Sequence, residues 1–385
     1  MARVRPATLE DHAAIMALRA RYGMEPLESD EWRHVYAGSP VLDELAGEKR
    51  RDWAGGWVVD SDALEVVGFL GNIALPYELA GRRLVAAAMS SWVVDVSHRA
   101  ASLLLVRQFL RQEGVDLFLN TTANVESSRA LEALRIRRVP TGAADTCLYW
   151  ITDPGGFAES TSRKRGWPLP ALARVAGNLL RPALAARCPG TGATVETASG
   201  FDARFDEFWE ELRGEQVLRL RRNRCTLEWA FELARRRGAL SVLTHSDSGG
   251  RLRGYAILVR QDAPAIRLRR MRIVDLQVRE GDAETLETLL AAALAHCRAA
   301  SVHVLEAIGF AAAKRTALEA LGARTRRLGA WRYYYRAASA ELARELEGPE
   351  LWDPCLADGD GAFSIVTSER SGSLGPEPPL GPARA

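Results

Sequence analysis

The sequence predicts an α/β protein of two tandem units, each a mixed and mostly antiparallel sheet flanked by helices. Three observations carry that expectation. A Gly-aromatic strand, a β-branched strand with an Asp, an apolar helix, another strand and the pentapeptide Ala-Leu-Glu-Ala-Leu follow one another twice. The first copy passes through Val67-Gly68-Phe69, Trp92-Val93-Val94-Asp95-Val96 and Ala130-Leu131-Glu132-Ala133-Leu134. The second passes through Arg253-Gly254-Tyr255, Ile273-Val274-Asp275-Leu276 and Ala317-Leu318-Glu319-Ala320-Leu321. A repeat this long lies outside the short solenoid periods, and 385 residues suit two domains that each bury a core. Breaker-rich sequence then separates the copies.

In the first unit, Val4-Arg5-Pro6-Ala7-Thr8 reads as a short strand. Thr8 starts a helix, with Asp11 at the third position of a capping box, and Ile15 and Leu18 continue its apolar face. Strands are predicted over 56–59, 65–74 and 82–96, the last two joined as a long hairpin turned near Gly81. An apolar helix over 103–110 follows, closed by Glu113-Gly114. Residues 116–120 form a buried strand by pattern and length, 127–134 a second helix, and a closing strand comes near Cys147.

Asp153-Pro154-Gly155-Gly156 and Cys188-Pro189-Gly190-Thr191-Gly192 bracket a linker. Within it Leu169, Leu172, Val175, Leu179, Leu180 and Leu184 share one helical face among several arginines, and Pro182 interrupts a long continuous helix. Such a face docks on a neighbouring domain or makes a peripheral contact with an anionic membrane surface. The second unit runs from Val195 to about Tyr335, followed by a short helix near Glu341. The expected division is 1–152, 153–194, 195–348 and 349–385, with a Ser-, Gly- and Pro-rich tail disordered after about Ser368. Asp358-Gly359-Asp360-Gly361 reads as a turn, because it lacks the spaced ligands of a calcium loop.

Composition narrows the function. The chain is 47% hydrophobic and 26% charged with a net charge of +2, so no overall field favours DNA. Its five cysteines, Cys147, Cys188, Cys225, Cys297 and Cys355, are scattered with no Cys-x-x-Cys pair. That suits reduced thiols and no zinc site. The N-terminal residues carry no signal-peptide core, and no apolar run is long enough to span a bilayer. A cytoplasmic protein without a metal is expected.

Val94-Asp95-Val96-Ser97-His98-Arg99-Ala100-Ala101-Ser102-Leu103-Leu104 joins a strand to the apolar helix. Free amides and the positive dipole end at such a junction suit a pyrophosphate. The segment resembles the acetyl-CoA motif Gln/Arg-x-x-Gly-x-Gly/Ala of the GCN5-related N-acetyltransferases (GNAT), with Arg99 at the first position and Ser102 and Leu104 replacing the small residues. The order of elements over 1–150 is also similar to that family, so the resemblance implies two tandem GNAT-like domains. It further implies acetyl-CoA or another acyl-CoA as co-substrate, contacted by Val94, Val96, Arg99, Ala100, Ala101, Ser102 and Leu103, with Asn124 beside the pantetheine.

Acyl transfer to an amine needs a proton acceptor, and Asp95 and His98 are the candidates. Each has a plainer use, Asp95 as an ion-paired strand-end carboxylate and His98 as a solvated loop residue, and Arg99 of the cofactor turn likewise reads as a solvated surface residue. The Tyr that the family often places on the next helix is missing from Arg129-Ala130-Leu131-Glu132-Ala133-Leu134. At the corresponding junction of the second unit Glu280 and Asp282 would repel a phosphate, so that copy is expected to hold the acceptor or shape the cleft. Tandem arrangements of this kind resemble FemAB-like transferases, mycothiol synthase and the N-myristoyltransferases. The first reading is acyl transfer from acyl-CoA to a small amine-bearing acceptor such as a cell-envelope or polysaccharide precursor. The others are a FemAB-like transferase using aminoacyl-tRNA and a non-catalytic GNAT-fold binding module. The oligomeric state is not legible.

Overall fold

The computed structural model describes residues 3–45, 53–142, 145–186 and 194–363. The proposed tail after Ser368 and the breakers from Cys188 to Gly192 lie outside them.

Strand β1 (Arg3–Pro6) pairs antiparallel with β2 (Gly56–Asp60). A 3-10 turn over Leu9–Asp11 leads into α1 (His12–Arg21), and the Thr8 amide and hydroxyl both donate to Asp11, at 2.8 and 3.1 Å. Arg5 grips Asp11 and Asp60, each at 2.7 Å, which ties this helix start to the sheet. After α2 (Ser29–Ala37) and α3 (Pro40–Glu44), the long strands β3 (Val66–Leu79) and β4 (Arg82–Val94) form the expected hairpin. Ala80 and Gly81 turn it in consecutive left-handed conformations, φ +50° and +76°. Two such residues match the right-handed twist of the strands they join. Helix α4 (Ser102–Phe109), β5 (Leu117–Ala123), α5 (Val125–Ala133), β6 (Arg137–Arg138) and β7 (Thr146–Ile151) complete the first copy.

Side chains alternate cleanly across this sheet. Ala87, Met89 and Phe118 face the α4 side with Leu105, Val106 and Phe109, whereas Ala86, Ala88, Leu117 and Leu119 face the core shared with α1, α2 and the second copy. The period of two in strands sets this division.

The linker contributes α6 (Pro154–Lys164), α7 (Pro170–Leu179) and α8 (Arg181–Leu184). Pro182 begins a new short helix rather than kinking a long one, because its fixed φ and missing donor suit a first turn. The second copy comprises β8 (Val195–Ala198), α9 (Ala203–Leu212), β9 (Arg219–Leu220), α10 (Arg224–Arg236), β10 (Leu240–Ser246), β11 (Leu252–Arg260), β12 (Arg270–Val278), α11 (Ala283–Ala299), β13 (Val304–Ile308), α12 (Ala312–Ala320), β14 (Arg324–Arg327), β15 (Arg332–Ala337) and α13 (Ala340–Glu345). Among the described residues no helix is long and apolar enough to cross a membrane.

The two sheets run β1-β2-β3-β4-β5-β15-β6, with β9 beside β3, and β14-β7-β13-β12-β11-β10-β8. The closing strands have therefore changed places. Strand β7, read from the sequence as the end of the first unit, pairs with β13 through Val304 opposite Ile151 and Leu305 opposite Trp150. Strand β15 pairs with β5, Tyr335 opposite Leu119. Both strands carry bulky residues on both faces, so the pattern alone does not choose a slot.

Candidate functional site

Strand β4 runs parallel to β5 only where Ala86, Ala87 and Ala88 oppose Leu117, Phe118 and Leu119. Beyond that point β4 stays with β3 and β5 stays with β15, which leaves an opening in the first sheet. On its β4 side the register with β3 slips between Phe69 and Gly71, so Ser91 and Trp92 bulge opposite Leu70, and Ser91 takes φ +53°. The Tyr36 hydroxyl lies 3.3 Å from both Ser90 Oγ and Ser91 Oγ. Gly71 is required beneath it, since a Cβ there would sit 2.6 Å from the Tyr36 ring. Beside the bulge Trp32, Tyr36, Ala37, Leu42, Trp53 and Gly55 line a pocket of about 220 Å³.

On the β5 side the chain supplies an unexpected group. Two 3-10 turns, Leu356–Asp358 and Asp360–Ala362, run buried between the copies, and the second lies against both β4 and β5. Asp360 accepts hydrogen bonds from Thr121 at 2.8 Å and Thr122 at 2.9 Å. Gly359 permits this approach, because a Cβ would meet Thr121 Oγ1 at 2.2 Å. Burial pushes the Asp360 carboxyl up to about 6, although the two threonine hydrogen bonds oppose the rise. Its partner in the tetrapeptide faces elsewhere. Asp358 accepts from the fully buried Arg222 at 2.7 Å, and Arg222 also binds Asp275 at 2.9 Å. Tyr255 donates to Asp275 at 3.1 Å, and Tyr77 bonds Tyr333 at 2.9 Å and the carbonyl of Asp358. The tetrapeptide is thus a turn whose two carboxylates serve two separate networks.

The residues singled out by sequence gather mostly at the β4–α4 junction. Asp95 is held by Arg21 at 2.9 Å and Tyr22 at 3.0 Å, and its amide donates to Val67. The Val96 amide donates to the Tyr22 hydroxyl at 3.2 Å, so it already has an acceptor. His98 Nδ1 lies 2.9 Å from Ser97 Oγ. Val96, Arg99, Ala100, Leu103 and Leu104 are exposed, Val94 and Ser102 are half-buried and Ala101 is buried. Between β4 and α4 lies a 3-10 segment, Val96–Ala101, and no side chain caps either helical piece. Asn124 sits apart, capping α5 by accepting from the Ser127 amide at 2.8 Å.

In the second copy the equivalent end is filled. Asp282 caps α11 through the Thr285 amide and pairs with Arg253 at 2.9 Å. Strand register also corrects the correspondence between the copies. Gly68 opposes Val94 and Gly71 opposes Ser90, while Gly254 opposes Val278 and Ile257 opposes Asp275, so Asp275 matches Ser90 beside the bulge and Asp95 matches Arg279. Asp95 and Asp275 look equivalent only while the bulges are invisible.

A larger cleft of about 560 Å³ lies at the far end of β4, lined by Glu78, Arg83, Asp206, Arg213, Arg221 and Arg224 among others. Its charges neutralise one another, as in Arg213–Glu78 at 3.1 Å and Arg224–Glu228 at 2.9 Å. It shares no residue with the opening. Asp360 is the residue that sequence reasoning missed, and its only signal was a pair of aspartates among glycines.

No protein-family model matches the sequence, and no curated protein matches it. Solved structures do match in shape. A GCN5-related N-acetyltransferase from Anabaena variabilis aligns at TM-score 0.55 and 12% identity, over 88% of this chain and 73% of that one. One from Kribbella flavida aligns at 0.51 and 15%, over 88% and 71%. The N-myristoyltransferase of Saccharomyces cerevisiae, solved with bound myristoyl-CoA and inhibitors, aligns at 0.54 and 11%, over 87% and 80%. In its two mostly antiparallel sheets flanked by helices, this chain has the tandem fold of the GCN5-related N-acetyltransferases.

Proposed function

We propose that the protein transfers an acyl group from acyl-CoA to an amine-bearing acceptor at the β4–β5 opening of the first copy. The observation that carries this reading is the buried Asp360 carboxylate, set in that opening by two threonines, with burial raising its pKa to about 6. An amine nitrogen attacks the thioester carbonyl carbon, the C–S bond breaks, and CoA leaves as the thiolate. The ammonium proton passes to Asp360, whose affinity suits a general base at physiological pH. This assigns proton acceptance to Asp360 and leaves Asp95 to anchor α1 to the junction.

The uncapped turn between β4 and α4, with Arg99 on its surface, fits the phosphates of a CoA. The second copy does not fit them, because Asp282 occupies its helix end. The pocket of Trp32, Tyr36 and Trp53 is larger than an acetyl group requires and supports a longer or aromatic substituent on the acyl group or the acceptor. A second reading, a binding module without catalysis, is favoured by the same turns 356–362, which partly fill the opening.

Calorimetric titration with acetyl-CoA and decanoyl-CoA separates the two. Saturable binding that is weakened in Arg99→Ala and Ser102→Asp is expected for the acyltransferase. A folded protein that binds neither thioester at millimolar concentration would leave the binding module.

A further inference from the structure

Twelve large apolar residues are exposed among the described residues, and six of them lie within 167–180. Trp167, Leu169, Leu172, Val175, Leu179 and Leu180 are each 54–77% exposed. The sequence left this face two uses, packing on a neighbouring domain or contacting an anionic membrane surface. The side of α7 that docks on α6 is the one carrying its small residue, Gly177, where a Cβ would come within 2.4 Å of the Pro154 carbonyl oxygen. The branched side chains at 172, 175 and 179 are turned outward as a ridge. A monomer rarely leaves so much contiguous apolar surface in water without a use for it.

Charge identifies the use. From Ser160 to Val195 the sequence has six Lys or Arg residues and no Asp or Glu. Arg174 is tethered to Glu159 at 3.1 Å, and Arg165 stacks on Trp167 at 5.1 Å. The fold brings further cations here, since Arg298 donates to the Ala186 carbonyl and Arg324 to that of Ala183. We infer that α7 and its flanks dock the protein on an anionic lipid surface, the ridge entering the acyl boundary while the cations meet the headgroups. Trp167 at the edge suits the interfacial layer. A two-fold pairing of the same face between two copies would set cations against cations.

Vesicle flotation of the full-length protein tests this independently of any acyl-CoA chemistry. Vesicles of phosphatidylcholine with phosphatidylglycerol should carry the wild type at least tenfold better than phosphatidylcholine alone. Leu172→Ser/Leu179→Ser and, separately, Lys164→Glu/Arg165→Glu should each lose that binding, with unchanged circular dichroism melts showing intact folds. Wild type that fails to float with anionic vesicles, or folded variants that float equally well, overturn the inference. So does lipid-free, concentration-dependent self-association that Leu172→Ser/Leu179→Ser abolishes, because the ridge would then be a self-interface.

Discussion

Thr121 donates a 2.8 Å hydrogen bond to Asp360, a carboxylate that arrives 239 residues later in the chain. The opening in the first sheet is therefore completed by the end of the described chain, after both copies have been laid down. Whatever happens there depends on both copies being in place.

Asp360→Asn should lower acyl transfer by about 10²–10⁴-fold. Wild-type activity should rise with pH through about 6, where the buried carboxylate ionises, and that rise should vanish in the variant. Stability moves the opposite way. The folded-state pKa is raised above 3.8, so this group's contribution is fully present below that pH and is lost as pH rises through about 6. Chemical denaturation at pH 4 and pH 8 should show Asp360→Asn gaining on wild type at the higher pH.

Glu306 gives the reverse dependence. It is buried among Arg272 at 3.1 Å, Arg270 at 3.8 Å and Arg326. Burial would raise its pKa, but the three guanidinium groups overcome that and hold it at about 2. Its contribution is present above pH 4.5 and disappears as pH falls toward 2. Glu306→Ala leaves buried cations unpaired and should cost roughly 3–5 kcal/mol in urea melts at pH 7, with a smaller difference at pH 3.

Gly71→Ala should be destabilising by roughly 1–3 kcal/mol, the range for overpacking a tight site. The added methyl would press on the Tyr36 ring at 2.6 Å. If the pocket beside Tyr36 holds part of the substrate, KM should rise more than kcat falls. A shift in kcat alone would place the substrate elsewhere.

Cutting the backbone should not separate the halves. A protease site placed between Ala186 and Thr194, once cleaved, should give two fragments that co-elute in size exclusion. Each fragment's closing strand lies in the other's sheet, Ile151 against Val304 and Tyr335 against Leu119. Fragments that elute apart without denaturant would contradict that pairing.

Local chemistry made much of the fold legible. The Thr8–Asp11 box, the turn at Gly81 and the alternation along β3 and β4 follow from hydrogen-bonding capacity and side-chain period. What escaped was non-local. The placement of β7 and β15 depends on three-dimensional closure, and the bulge that brings Asp275 into register with Ser90 leaves no mark on composition. Asp95 was visible as a strand-end acid, but its partners Arg21 and Tyr22 come from a helix over 70 positions earlier. Asp360 reads as a loop residue because the residues that make it a buried acid, Thr121 and Thr122, belong to another strand altogether.

The exchange of β7 and β15 also bears on how such a chain evolves. A domain with a self-contained sheet could be deleted without disturbing its neighbour's fold. Here neither copy owns all its strands, so deleting either one would unravel the survivor. The junction closed by Asp282 and Arg253 can therefore change freely while the second copy stays indispensable, because the first sheet needs Tyr335 against Leu119 whatever that junction binds.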